Sequence, residues 1–204
     1  MTAFIHGLIL AFGLILSLGV QNLFIFNQGV NQPKLRLALP AVVTAAICDT
    51  LLIIVSVAGL SVIVWQLETL RIVLIVAGIL FLTYMGFVIW RTPAPTQEEK
   101  PKLSAKKQVM FALSVSLLNP HALLDTLGVI GTSGMKYSGT EQMYFALACI
   151  AVSWVWFFGL AIVGATVKKA RIPDRYFSWL NKCSAIFIWI TAFILLQTVW
   201  QSMN

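Results

Sequence analysis

The sequence predicts an all-α polytopic membrane protein, with six transmembrane helices arranged as two inverted three-helix repeats. Of its 204 residues, 59% are hydrophobic and only 10% are charged, and the mean hydropathy is +0.90. Soluble domains carry about 25% charged residues, so a water-soluble fold of this composition would expose large apolar patches. The sequence also contains six separate apolar stretches, each near the length of about 20 residues that crosses a bilayer.

The apolar stretches predict a single transmembrane domain, residues 1–204. A polar segment rich in proline and charge, 91–107, predicts a cytoplasmic linker between a first half, 1–90, and a second half, 108–204. The N-terminus "MTAFIHGLIL" has no basic segment before its apolar residues, which predicts a retained first span and not a cleaved signal peptide. The six predicted spans are 3–27, 37–65, 70–90, 109–131, 143–167 and 177–200.

Basic residues are distributed unequally between the two sides of this topology. Twelve of the 14 Lys and Arg fall in loops on one side, and the other side holds only Arg71 and Lys136. The positive-inside rule places the twelve in the cytoplasm, so both termini are predicted to face outward. The net charge of +7 is thereby explained by orientation, and no nucleic-acid partner is expected. Trp65, Trp90 and Trp200 fall at span ends, where interfacial rings belong.

Three spans per half imply that the second half is inserted upside down, as in the inverted repeats of secondary transporters. "LSLGVQNLFI" in the first span and "VSLLNPHALL" in the fourth can be overlaid with Asn22 opposite Asn119. Each segment carries a helix breaker, Gly19 in the first and Pro120 in the fourth. The sequence therefore predicts a broken helix in each half.

Two carboxylates, Asp49 and Asp125, lie inside predicted spans. A charged Asp at a helix centre costs about 2.5–3.5 kcal/mol on insertion scales, so such residues face the bundle interior or a water-filled path. We assign both to a substrate site and treat both as candidates for proton coupling. The alternative is that each is protonated or satisfied by a neighbouring threonine, such as Thr50 or Thr126.

Further polar residues flank the predicted breaks. Gln21 and Asn22 act either as polar contacts between helices or as the lining of an unwound segment at a site. Pro120 has no N–H and so frees the carbonyl of Ser116. His121 and Asp125 are four residues apart and share a helix face. We add Trp154 to the substrate site for stacking on a guanidinium, although aromatic residues in spans usually face lipid or core.

Other chemistries find little support in the sequence. His121 and Asp125 are too few to hold a structural metal, which takes four ligands, and we expect neither a metal nor a cofactor. Cys48, Cys149 and Cys183 lie in apolar segments without zinc-type spacing and are predicted to be small buried hydrophobes. Small residues such as Gly59, Gly78 and Gly86 permit close helix packing and a homo-oligomer.

The motifs "GVQNLFIFNQG", "CDTLLI", "SLLNPHALLDTLGVIGTSG" and "WFFGLAIVG" resemble the LysE-type amino acid exporter family, and in particular its arginine exporter branch. The resemblance covers nearly the whole chain. One departure is Val20, where the family usually has proline. The resemblance implies export of a basic L-amino acid, arginine or lysine, across a bacterial inner membrane, which would place both termini in the periplasm. It directs attention to five positions: Asn22, Asp49, Asn119, Pro120 and Asp125.

The energetics of export suggest how the carboxylates would act. Moving a substrate of charge +1 out of the cell against the membrane potential costs about 2.3 kcal/mol per 100 mV. Exchange for an incoming proton cancels this charge, and Asp49 or Asp125 would carry that proton. Two alternatives remain: an exporter of another small solute, such as a neutral amino acid or a metal cation, and a membrane-embedded enzyme that uses His121 and Asp125 as a base pair.

Overall fold

A computed structural model describes residues 1–16, 19–60, 68–91, 103–169 and 174–203, and these residues are almost entirely helical. A 3₁₀ turn, Leu35–Leu37, precedes the helix Leu39–Val55, and a π-helical turn, Ser56–Leu60, follows it. A second π-helical segment, Leu124–Ile130, joins the short helices Pro120–Leu123 and Gly131–Gly134. Trp65 and most of the predicted linker, 92–102, lie outside the described residues. The helices are α1 (Thr2–Ile15), α2 (Val20–Asn31), α3 (Leu39–Val55), α4 (Glu68–Arg91), α5 (Ala105–Leu117), α6 (Pro120–Leu123), α7 (Gly131–Gly134), α8 (Thr140–Lys169) and α9 (Asp174–Met203).

Within the described residues, two helices are long and apolar enough to cross a membrane. They are Leu39–Gly59 and Thr140–Val167, each with a mean hydropathy of 2.3. The bent pair of α1 and α2 is a third candidate if it forms one span. The predicted all-helical fold is confirmed. The six-span count and the inverted repeat remain predictions. The predicted linker is shorter than 91–107, because α4 includes Arg91 and α5 begins at Ala105, capped by the Ser104 hydroxyl.

Both predicted helix breaks are present. Helix α1 ends at Ile15 and α2 begins at Val20, and the two are inclined by 78°. In the second half, α5 ends at Leu117 and the next helix begins at Pro120. Proline suits the first position of a helix because its missing N–H is not needed there.

The two restarts are built alike. The carbonyl of Gly19 accepts a hydrogen bond from the Leu23 N–H, and the carbonyl of Asn119 accepts one from the Leu123 N–H, both at 3.1 Å. Asn119 therefore holds the position of Gly19 relative to the helix start. Gly19 and Asn119 thus occupy the same position in the two breaks. Asn22 lies three residues after Gly19, so it is not the positional counterpart of Asn119.

Helix α8 is the element against which both parts of the broken first helix pack. Every fourth residue of α8 is buried, in a stripe along one ridge of the helix, formed by Phe145, Cys149, Ser153, Phe157 and Ala161. Helix α1 docks at one end of this stripe, where a Cβ on Gly7 would lie 2.7 Å from the Phe145 carbonyl oxygen. Helix α2 docks at the other end, where a Cβ on Gly29 would lie 2.3 Å from the Ala161 carbonyl oxygen.

The cysteine prediction is correct for two positions and wrong for one. Cys48 and Cys149 are buried, whereas Cys183 is exposed. The buried face of α9 follows Ser184, Ala185 and Ile188, and Cys183 points away from it. Periodicity in a uniformly apolar helix does not reveal which face packs against protein, and the error at Cys183 follows from that.

Candidate functional site

A cavity of about 90 Å³ lies where the two helix breaks meet. A water molecule needs about 10–15 Å³ of such volume, so the cavity has room for several. Its apolar wall includes side chains from α1, α4 and α9. Its polar wall consists of Gln21, Asn22, Asp49, Asn119, Asp125, Thr126, Ser153 and Thr191.

Asp49 projects into this cavity from the middle of α3. The side-chain amide of Gln21 donates to its carboxylate oxygen Oδ1 at 3.1 Å, and the Ser153 hydroxyl is a second hydrogen-bonding neighbour. Both neighbours are uncharged, so they solvate the carboxylate without neutralising it. A positively charged ligand entering the cavity would therefore meet a negative charge that these two neighbours leave uncompensated.

Asn22 ties the broken ends of the first helix together. Its amide Nδ2 donates to the Ile15 carbonyl at the end of α1, at 2.7 Å, and so satisfies an acceptor that the break leaves without its helical partner. Its oxygen Oδ1 accepts a hydrogen bond from the Trp156 indole Nε1 at 3.3 Å. Asn22 thus connects α1, α2 and α8 at the edge of the cavity.

The second half of the chain contributes Asn119 and Asp125. Asn119 is buried at the residue before the restart at Pro120. Asp125 is half-buried and lines the cavity from the π-helical segment Leu124–Ile130. π-Helical turns are rare and occur frequently at functional sites. The cavity therefore receives one carboxylate from each half of the chain.

The predicted site residues are brought together in large part. Five of them line the cavity: Gln21, Asn22, Asp49, Asn119 and Asp125. The side chains of Pro120 and His121 lie outside the described part of the structure, which places only their backbone, in α6. Among the described residues, no group of three or more His, Cys, Asp and Glu is arranged to hold a metal ion.

Trp154 is not part of the cavity wall. Its indole Nε1 donates to the Thr50 hydroxyl at 3.1 Å, and its ring stacks on Phe158 with centroids 6.2 Å apart. The tryptophan that bonds to a cavity residue is Trp156, two positions later. Sequence reasoning also missed Ser153, although its place four residues after Cys149 and four before Phe157 is a signal that could have identified it.

The LysE type translocator family matches residues 12–198 of the chain. The chain belongs to this family. A protein of Bacillus subtilis (strain 168) named "Putative amino-acid transporter YisU" is 54% identical over 193 residues, which are 94% of this chain and 88% of that protein. Arginine exporter protein ArgO of Enterobacter sp. (strain 638) is 31% identical over 93% of this chain and 91% of its own length. ArgO of Salmonella schwarzengrund (strain CVM19633) is 33% identical with the same coverage. No solved structure matches the chain.

Family membership settles the class of activity. A LysE type translocator is a multi-pass membrane transporter, so the alternative of a membrane-embedded enzyme based on His121 and Asp125 is excluded. The predicted resemblance to the LysE family is confirmed. Substrate sites of secondary transporters are typically formed by discontinuous helices, and the cavity lies at such a junction.

Proposed function

We propose that this LysE type translocator exports basic L-amino acids, arginine or lysine, from the bacterial cytoplasm. The observation that carries the proposal is the pair of carboxylates, Asp49 and Asp125, that line one cavity at the junction of two broken helices. A cationic side chain binds carboxylates by charge-assisted hydrogen bonds. The α-carboxylate and α-ammonium of the same molecule need amide donors and acceptors, which Gln21, Asn22 and Asn119 provide.

The relatives support this substrate class at two levels. The relative that is 54% identical is named only as an amino-acid transporter, which supports an amino acid in general. The relatives at 31% and 33% identity are named as arginine exporters, which supports a cationic amino acid. The two carboxylates in the cavity favour the second, more specific reading over a neutral amino acid.

The proposed topology has six spans in two inverted three-helix repeats, with both termini in the periplasm. Two observations support it. A helix break occurs once in each half, at Gly19 and at Asn119. The loops that carry most of the basic residues fall on one side, which the positive-inside rule assigns to the cytoplasm.

Proton exchange would drive the export. Carrying one positive charge outward costs about 2.3 kcal/mol per 100 mV of inside-negative potential, and an incoming proton cancels that charge. In this scheme one or both of Asp49 and Asp125 bind the cationic substrate when ionised. One proton from the outer side neutralises one of these carboxylates, and the substrate leaves. The polar but uncharged neighbours of Asp49, Gln21 and Ser153, suit a carboxyl group that must exist in both forms.

Neutralising each carboxylate tests the proposal. Inside-out vesicles containing the wild type are expected to accumulate labelled arginine or lysine when a proton gradient is imposed. Asp49→Asn and Asp125→Asn should each reduce this transport at least about thirtyfold, because removing one partner of a buried charge pair costs about 2–5 kcal/mol. Glu141→Gln is the matched control, since Glu141 is an exposed carboxylate in the first turn of α8, away from the cavity.

Two outcomes would overturn the proposal. One is full, proton-dependent transport of arginine by both Asp variants, which would remove the carboxylates from the mechanism. The other is a wild type that moves neutral amino acids or a metal cation but neither arginine nor lysine, which would keep the translocator and change its substrate.

A further inference from the structure

A buried polar stripe leads from the cavity along α2. Gln21, Gln28 and Gln32 are spaced by seven and then four residues, which places them on one helix face. Each is no more than 6% exposed. From the cavity to Gln32 the stripe covers eleven residues, or roughly 16 Å at the helical rise. Glutamines are unusual interior residues, and three of them lie on this one face.

A second buried stripe runs along α5 to the other helix break. Gln108 and Ser116 are eight residues apart on α5, Asn119 follows two residues after the helix ends, and each is no more than 5% exposed. From Gln108 to Ser116 the helix rises by roughly 12 Å. Both stripes begin in the cavity and end at the side that holds the basic loops.

The two stripes meet at that basic side in a cluster of glutamines. The amide nitrogens of Gln32 and Gln108 both donate to the Leu103 carbonyl, each at 3.0 Å. Gln108 also donates to the Leu37 carbonyl at 3.0 Å, and Gln32 donates to the Gln28 oxygen at 3.4 Å. These bonds hold the chain entering α5 and the 3₁₀ turn Leu35–Leu37 over the end of the two stripes.

The cluster contains an unused acceptor. Gln108 is 1% exposed, and among the residues that the structure describes its oxygen Oε1 has no hydrogen-bond partner. Buried side-chain acceptors are nearly always paired, and an exception calls for an explanation. A transported N–H group that visits this position supplies one.

An aromatic pair separates the cluster from the cavity. The rings of Phe24 on α2 and Phe111 on α5 lie with centroids 4.4 Å apart. Phe24 is three residues beyond Gln21, and Phe111 is three residues beyond Gln108. The pair therefore lies between Gln21 at the cavity and Gln108 at the basic side.

We propose that Gln28, Gln32 and Gln108 form a second amino-acid station on the basic side of the protein, with Phe24 and Phe111 as the gate between it and the cavity. The Gln108 oxygen Oε1 accepts an N–H of the cationic substrate before the substrate passes the gate to Asp49. This station rests on the proposed function, because its ligand is the exported amino acid.

Two substitutions at Gln108 separate this role from a structural one. Gln108→Leu removes the acceptor and the donors, and it should raise the KM for arginine about tenfold in inside-out vesicles, the equivalent of one hydrogen bond to a charged group. Gln108→Glu loses the donors to Leu37 and Leu103 but keeps the acceptor and adds a charge opposite to that of the substrate, so its KM should lie below that of Gln108→Leu. Gln197→Leu is the matched control, since Gln197 is exposed on α9.

The station is overturned if Gln108→Leu keeps the wild-type KM, or if Gln108→Glu raises the KM as much as Gln108→Leu does. The second result would assign Gln108 to holding the loops. A wild type that transports neither arginine nor lysine would instead overturn the proposed function, so the two failures are distinguishable.

Thiol labelling tests the path without changing Gln108. Ser116→Cys is placed in a transport-active parent in which the three natural cysteines are replaced, and an impermeant thiol reagent is added to inside-out vesicles. During arginine transport the new thiol should become labelled, and Phe111→Ala should increase the labelling rate. A thiol at position 116 that stays unlabelled under all conditions, with or without Phe111→Ala, would overturn the path.

Discussion

The Gln21 amide donates to the Asp49 carboxylate at 3.1 Å and so joins the first turn of α2 to the middle of α3. Gln21 lies two residues after Gly19, where the helix restarts. The hydrogen bond therefore links the position of the Asp49 carboxylate to the position of the helix break at Gly19. A movement of α2 relative to α3 changes how well that carboxylate is solvated, and with it the affinity of the site for a cation.

Gln21→Leu should weaken arginine binding because Asp49 loses a donor that holds its carboxylate in place. Hydrogen bonds to charged groups contribute about 1.5–3 kcal/mol, so we expect an affinity loss of about tenfold or more. Equilibrium binding of labelled arginine to purified protein measures it. Gln197→Leu should bind as the wild type does, and equal binding by Gln21→Leu would separate Gln21 from the site.

The two tryptophans of "WVWFFG" should behave differently. Trp156→Phe removes the donor to Asn22 and is expected to slow transport, since Asn22 also holds the end of α1 at Ile15. Trp154→Phe removes a bond to Thr50 outside the cavity and should leave the KM for arginine within about twofold, which is under 0.5 kcal/mol. A larger KM effect at Trp154 than at Trp156 would restore the sequence-based assignment of Trp154.

Glycines at the crossing of α2 and α8 should be irreplaceable. A Cβ on Gly29 or Gly164 would lie 2.3 Å from a backbone carbonyl oxygen of the other helix. Overpacking costs about 1–3 kcal/mol or more, so Gly29→Ala and Gly164→Ala should lower the melting temperature in detergent.

Glycines elsewhere on the same bundle provide the control for that melting experiment. A Cβ on Gly13 or Gly159 would have no atom within 4 Å. Alanine at these helical positions should be neutral or stabilising by about 0.5–1 kcal/mol. Similar melting temperatures for all four variants would mean that α2 and α8 are not packed as closely as described.

Reporter fusions should place both termini in the periplasm. Alkaline phosphatase fused after Asn204 is expected to be active, and a green fluorescent protein fused there should be dark. A fusion near Ser104, just before α5, should give the opposite pattern, because that loop belongs to the basic side. A cytoplasmic C-terminus would remove the upside-down relation between the halves.

Sequence reasoning could predict the features that depend on unusual local chemistry. Gly19 and Pro120 marked the helix breaks, and Asp49 and Asp125 marked the cavity because charged residues in a span are costly. It could not predict which face of a helix packs inward where nearly all positions are apolar. The sequence therefore did not distinguish Trp154, which contacts Thr50, from Trp156, which contacts Asn22. It also did not place Ser153 in the cavity wall, and it predicted a buried Cys183. The 78° bend depends on packing between distant segments, which local patterns do not encode.

The buried stripe of α8 sets the positions of α1, the cavity and α2 relative to one another. The first part of the stripe, at Phe145, packs against α1, and the middle part, at Ser153 and Phe157, lines the cavity. The far part, at Ala161, packs against α2. The three contacts hold one register along a single continuous helix. One residue inserted between Phe157 and Ala161 would advance the far part by about 1.5 Å and turn it by about 100°. The residues of α8 that line the cavity and contact α1 would keep their positions. The packing contact between α8 and α2, the helix that carries the glutamines, would be lost.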